Sequence, residues 1–212
     1  MVKVKICGIT NVEDAKAAVD AGADYIGFIF AESPRKVDIS TAKSIINKLP
    51  GKVTTVGVFA GLDADTIVDI MAKTGLDCAQ VYEHAGCNMA PVAEAIGCRR
   101  VIRAFNIRSE DDVTAMESDA GKCDCAGFLM DAWANGKSGG TGVTFNWDLA
   151  AKASSCGKSI ILAGGLNPGN VGDAVAKVHP GAVDVSSGVE RSPGKKDHEM
   201  VREFIRNAKR VV

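Results

Sequence analysis

Residues 159–188 read SIILAGGLNPGNVGDAVAKVHPGAVDVSSG. A short apolar run, Ser159 to Ala163, stops at Gly164-Gly165, and a helical pattern follows from Pro168 to Val178. A second apolar run, Val183 to Ser186, then stops at Ser187-Gly188. Apolar runs of strand length that each lead into a helix are what a parallel sheet covered on both faces requires.

The same alternation extends along the chain. Strands are expected at Val2–Ile6, Tyr25–Phe30, Val53–Phe59, Cys78–Tyr82, Arg100–Phe105 and Cys125–Asp131. Helices are expected at Asn11–Ala21, Ser40–Leu49, Asp63–Thr74, Met89–Ile96, Ser109–Ser118, Asn146–Ser154 and Asp197–Lys209. Val12, Ala15 and Val19 recur at helical spacing before Gly22, which is the pattern of an amphipathic helix with a glycine stop. Eight βα units of about 26 residues lie near the minimum for a closed (β/α)8, or TIM, barrel. With no composition shift or linker, one barrel domain over 1–212 is expected, and an open doubly wound sheet is the alternative.

The 212 residues are 46% hydrophobic and 24% charged, with a formal net charge of -1. Nothing in that balance favours nucleic acid. Arg99-Arg100 and Lys195-Lys196 are short enough to read as solvated surface. The sequence shows neither a secretory pattern at Met1–Ile6 nor an apolar run able to span a bilayer, so a cytoplasmic enzyme is expected. Seven scattered cysteines form no disulfide framework. Cys123-Asp124-Cys125 lacks two further ligands at metal spacing, so one solvent-facing and one buried thiol are expected there and no metal.

In either architecture, ligands gather at the carboxyl ends of the strands. The residues there are Cys7-Gly8, Ser33-Pro34-Arg35, Gln80, Asp131, Gly139-Gly140-Thr141-Gly142, Gly164-Gly165 and Ser186-Ser187-Gly188, with Asp184 inside the eighth strand. Glycines let backbone N–H groups approach an anion, and serine hydroxyls add neutral donors. Either glycine loop alone could serve only as a tight turn. Two adjacent strand ends carrying this chemistry favour a phosphate site, often at the start of a short extra helix. That points to a sugar-phosphate barrel. Asn167 is expected to cap the helix that follows.

Cys7 shares strand parity with Lys5 and would face the mouth, where a nearby ammonium or bound phosphate can tune its thiol. Asp131 closes an apolar run, a costly place for an acid unless it is paired or functional. Together they offer a base and an acid across the mouth, with no metal needed. Arg35 reads either as surface charge or as a guanidinium for a carboxylate or sugar oxygen. Asp184, in register with Ser186, serves either neighbouring lysines or a ligand.

Written out in order, these segments resemble the phosphoribosylanthranilate isomerase family over essentially the whole chain. They are Lys5-Ile6-Cys7-Gly8-Ile9-Thr10, Gly22-Ala23-Asp24-Tyr25-Ile26-Gly27-Phe28 and Val56-Gly57-Val58-Phe59. Gly139-Gly140-Thr141-Gly142 with Phe145 and Trp147, and Ala163-Gly164-Gly165-Leu166-Asn167-Pro168, continue the series. Val183-Asp184-Val185-Ser186-Ser187-Gly188-Val189-Glu190 and Gly194-Lys195-Lys196-Asp197 complete it.

The resemblance narrows the barrel to the ribulose-phosphate-binding type and implies an aldose–ketose isomerase of tryptophan biosynthesis that needs no cofactor. Its reaction would be the Amadori rearrangement of N-(5-phosphoribosyl)anthranilate to 1-(2-carboxyphenylamino)-1-deoxyribulose 5-phosphate. It implies Asp131 as general acid and Cys7 as thiolate base, with some depression of the thiol's pKa. Arg35, Gln80, Tyr82 and Asp184 would bind substrate. Gly142, Gly164, Gly165, Ser186, Ser187 and Gly188 would bind its phosphate, in a monomer or homodimer. Where the family usually carries Gln-Leu-His-Gly, this chain has Gln80-Val81-Tyr82-Glu83, so Tyr82 replaces a histidine and His84 is displaced. Asn146 stands where aspartate is common and reads as an interchangeable helix cap. A related barrel of altered specificity, usually built on two aspartates, and a catalytically silent phosphate-binding barrel are the competing readings.

Overall fold

The computed structural model describes residues 1–51, 53–82, 89–120, 124–132, 147–153 and 159–211. Eight parallel strands close into a barrel in sequence order. They are β1 (Lys3–Cys7), β2 (Tyr25–Ile29), β3 (Thr54–Ala60), β4 (Cys78–Tyr82), β5 (Val101–Ile107), β6 (Gly127–Ala132), β7 (Ile160–Ala163) and β8 (Ala182–Val185). The helices are α1 (Val12–Asp20), α2 (Ile39–Ile46), α3 (Ala64–Thr74), α4 (Met89–Ile96), α5 (Glu110–Ala120), α6 (Trp147–Ala153), α7 (Val171–Val178) and α8 (His198–Arg210). β8 pairs with β1, placing Asp184 opposite Lys5 and Val185 opposite Ile6. That last ladder closes the barrel and excludes the open sheet.

Strand alternation divides the core. Val56, Ile102, Ala104, Leu129, Ile161, Ala163 and Ala182 fill the barrel interior. Val4, Ile6, Ile26 and Phe28 belong to the larger cluster shared with Ala15, Ala18 and Phe204 of the helices. In α8, Val201, Phe204, Ile205 and Ala208 are the buried residues, the i, i+3, i+4, i+7 stripe of an amphipathic helix. Burial of a side chain such as Phe204 contributes roughly 1.5–3 kcal/mol. Local chemistry sets the helix ends. Asn11, Asp38, Asp63 and Asp197 each accept backbone N–H groups as N-caps, and Gly75 closes α3 with φ 76°.

Several boundaries differ from expectation. β5 runs on to Ile107 because Asn106 and Ile107 still pair with Asp131 and Ala132. α7 begins at Val171 rather than Pro168. The Asn167 side chain accepts from the Gly169 N–H, and Asn170 Oδ1 accepts from the Asn167 N–H, forming a polar turn before the helix. Asn167 therefore shapes the turn and is not the cap residue. Between β8 and α8 lies an unforeseen antiparallel hairpin, β9 (Glu190–Ser192) and β10 (Lys195–Lys196), turning through Gly194. Among the described residues, no helix is long and apolar enough to cross a membrane.

Candidate active site

Cys7 ends β1, 5% exposed, and the chain turns at Gly8 with φ 75°. A Cβ at Gly8 would fall 2.7 Å from Arg35 Cδ and 2.8 Å from Ser186 Oγ, so glycine is required where these side chains converge. Two residues earlier on the same face, Lys5 is fully buried and donates from Nζ to Asp184 Oδ1 at 3.0 Å. Asp184 thus serves a neighbouring lysine in this structure. Burial would lower the Lys5 pKa, but Asp184 and Cys7 together outweigh it and hold the ammonium above its ordinary value.

Opposite, Asp131 lies on β6 and accepts a hydrogen bond at Oδ2 from the Tyr82 hydroxyl, 3.0 Å away. Burial raises the Asp131 carboxyl above the usual aspartate range, with the Tyr82 hydrogen bond opposing and Asp184 adding to the rise. The Tyr82 phenol is pushed well up by burial, by Asp131, and by the negative forms of Asp184 and Cys7. Cys7, Asp131 and Asp184 therefore all act on one phenol at the barrel mouth.

The expected depression of Cys7 is not found. Burial dominates and raises the thiol, Lys5 is the largest opposing influence, and Asp184 adds to the rise. A thiol two residues from an ammonium is not thereby a thiolate when its surroundings are dry.

The glycine loops after β7 and β8 lie against each other. Gly164 and Gly165 adopt φ 89° and 66°, and a short 3-10 turn at Ser187–Val189 follows β8. A Cβ at Gly188 would fall 1.9 Å from the Leu166 carbonyl oxygen, so the two loops meet backbone to backbone. Ser186 Oγ and Gln80 Oε1 are buried without a hydrogen-bond partner among the described residues. Buried polar atoms normally have partners, so these two stand out near the strand ends. Gly139, Gly140, Thr141 and Gly142 lie outside the described residues, as do Glu83, His84, Cys123, Phe145 and Asn146. Cys125 is buried two residues before β6.

Arg35 does not extend into solvent. Its Nε and Nη2 grip Glu190, at 2.8 Å to Oε1 and 2.7 Å to Oε2. Glu190 also accepts from Lys196 Nζ at 2.8 Å, and Lys196 donates to the Ser186 carbonyl at 3.1 Å. Lys196 is 1% exposed, which corrects the surface reading of Lys195-Lys196; Lys195 alone faces outward. Burial lowers the Lys196 pKa despite Glu190. Sequence reasoning missed this pair as site residues, although both fall inside quoted motifs. Their signal was a glutamate and a lysine flanking Gly194, which can only meet if the segment doubles back.

Among the described residues no group of three His, Cys, Asp or Glu side chains could hold a metal. What the mouth offers is an acid raised by burial, a thiol beside an ammonium, and two glycine-turned loops that meet backbone to backbone.

The family model described as N-(5'phosphoribosyl)anthranilate (PRA) isomerase matches residues 4–207. The chain belongs to the PRA isomerase family. An N-(5'-phosphoribosyl)anthranilate isomerase of Pelobacter propionicus is 49% identical over 210 residues, covering 99% of this chain and 96% of that protein. A structure of monomers generated from the dimeric enzyme of Thermotoga maritima is similar at TM-score 0.85 and 38% identity, covering 99% of each chain. A family structure in complex with reduced 1-(o-carboxyphenylamino)-1-deoxyribulose 5-phosphate has TM-score 0.82 and 38% identity, again over 99% of each chain. Family membership and barrel class thus agree with the expectation drawn from the strand-end motifs.

Proposed function

We propose that this protein is an N-(5'-phosphoribosyl)anthranilate isomerase of tryptophan biosynthesis, acting in the cytoplasm as one barrel domain over 1–212. The observation that carries the proposal is the Tyr82 phenol, hydrogen-bonded to Asp131 and within the field of Cys7. An acid and a base so arranged face one small substrate from two sides.

The phosphate sits against Gly164, Gly165, Ser187 and Gly188, whose backbone N–H groups supply positive field. Gly142 belongs to the same reading. Arg35 binds near the anthranilate end, while Ser186, Gln80, Tyr82 and Asp184 line the sugar. Asp131, its carboxyl raised by burial above the usual aspartate range, donates to the furanose ring oxygen. The C1'–O bond breaks toward that oxygen, and the nitrogen lone pair forms an open-chain iminium. The Cys7 thiolate then removes the C2' proton, and the C–H electron pair forms C1'=C2' as the iminium nitrogen is neutralised. The enolamine tautomerises to the ketone, so C1' is reduced and C2' oxidised within one molecule. The iminium is itself the electron sink, so this route calls on no cofactor.

Purified protein is to be mixed with freshly generated phosphoribosylanthranilate while substrate fluorescence is followed. Loss faster than spontaneous decay and proportional to protein supports the proposal. Decay unchanged by protein contradicts it. Mass by light scattering distinguishes the monomer from the homodimer.

A further inference from the structure

Between Cys7 and Lys5 the barrel wall is a glycine. Cys7 pairs in register with Gly27, and Lys5 with Tyr25, on the neighbouring strand. A Cβ at Gly27 would fall 2.8 Å from Cys7 Sγ, 3.2 Å from Cys7 Cα and 3.2 Å from Lys5 Nζ. The thiol and the ammonium therefore border one point in space, which a side chain on β2 would occupy.

A fully buried lysine is costly unless its charge is compensated. Asp184 supplies that compensation at 3.0 Å, from the strand that closes the barrel. Lys5 is thus a fixed charge with one face on Asp184 and another on Cys7. Its pull on the thiol exceeds the opposing push of Asp184. Other groups acting on or from the thiol are Lys196 of β10, Arg35 after β2 and Tyr82 of β4, with Asp131 of β6 behind Tyr82.

We propose that Lys5, held by Asp184 and unobstructed because residue 27 is glycine, is the positioning residue that stabilises the Cys7 thiolate. This rests on the isomerase reading for its catalytic use, not for its chemistry in the free protein. Without the ammonium, burial leaves the thiol protonated at neutral pH and unable to accept the C2' proton. With it, the charged form costs less, although burial still holds the thiol above its ordinary value. When the thiolate takes the proton it becomes a neutral thiol, and Lys5 keeps its pair with Asp184 throughout. Lys5 itself exchanges no proton in this step.

The test is a titration of Cys7 by far-ultraviolet thiolate absorbance, taken as the difference between each protein and its Cys7→Ser counterpart. Lys5→Met is expected to raise the Cys7 midpoint by about one unit or more, a tenfold loss of thiolate at neutral pH. In turnover, kcat should fall about tenfold with KM within about twofold, and the acid limb should move up with the midpoint. Because Lys5→Met strands Asp184, the double variant Lys5→Met/Asp184→Asn and the charge-preserving Gly27→Ala are measured beside it. Each should shift the midpoint the same way. An unchanged midpoint in the folded variants overturns the proposal, even where Cys7→Ser has lost turnover. Wild-type turnover in Cys7→Ser overturns the catalytic reading and Lys5's use in it, whatever the titration gives.

Discussion

The Tyr82 hydroxyl donates to Asp131 Oδ2 at 3.0 Å, linking the end of the fourth barrel strand to that of the sixth. This contact stabilises the charged form of Asp131 and opposes the rise that burial imposes. Tyr82→Phe should therefore raise the Asp131 pKa further. If Asp131 is the acid, its active form persists to higher pH, and the alkaline limb of kcat/KM moves up. A limb that stays in place or moves down assigns that limb to another group.

Restoring the family residue is a milder change. Tyr82→His retains a ring and a donor at the same strand end, so turnover should remain within about tenfold. A collapse would show that the phenol does something beyond supporting Asp131.

Glu190 joins Arg35 to Lys196, and removing its charge strands two cations beneath a hairpin. Burial alone would raise the Glu190 carboxyl, but hydrogen bonds from Arg35 and Lys196 outweigh it and hold it below the usual range. Its stabilisation is therefore present above the unfolded glutamate range and lost as pH falls through the depressed folded value. Glu190→Gln should lower Tm by roughly 5–10 °C at neutral pH. The difference from the parent should shrink in acid, and a thermal melt at several pH values checks both.

Where the two phosphate-type loops touch, neighbouring glycines should respond differently. At Gly188 a methyl would meet the Leu166 carbonyl 1.9 Å away, and backbone must move. Gly188→Ala should raise KM at least about tenfold by opening the cradle. At Gly165 a methyl meets nothing within 4 Å, and the cost is the left-handed φ of 66° alone. Gly165→Ala should cost only about 1 kcal/mol of stability, with KM changed less than in Gly188→Ala.

What could be read from the chain and what could not divide along physical lines. The placement of Cys7, Asp131 and the glycines at 164, 165 and 188 at strand ends was legible because strand ends are local patterns, and the closed parallel barrel gathers those ends on one face. Lys196 was not. Its burial depends on Glu190 across a bulged hairpin and on the Ser186 carbonyl, neither of which composition reveals. Arg35 was legible as a charge near the mouth, but its partner lies 155 residues away. The Cys7 thiol was misjudged because proximity to an ammonium is visible in the sequence, whereas desolvation is a property of the closed barrel. Asn167 was misplaced by one turn because two asparagines share the turn: Asn167 accepts from the Gly169 N–H, while Asn170, at the cap position, accepts from the Asn167 N–H.

The acid–base pair is the central claim, and turnover of freshly generated phosphoribosylanthranilate by Cys7→Ser and Asp131→Asn tests it most directly. Each substitution should lower kcat by at least about a hundredfold, the scale for a positioned acid or base, in a protein that still melts cooperatively. Near-wild-type kcat in either variant would contradict the role given to that residue.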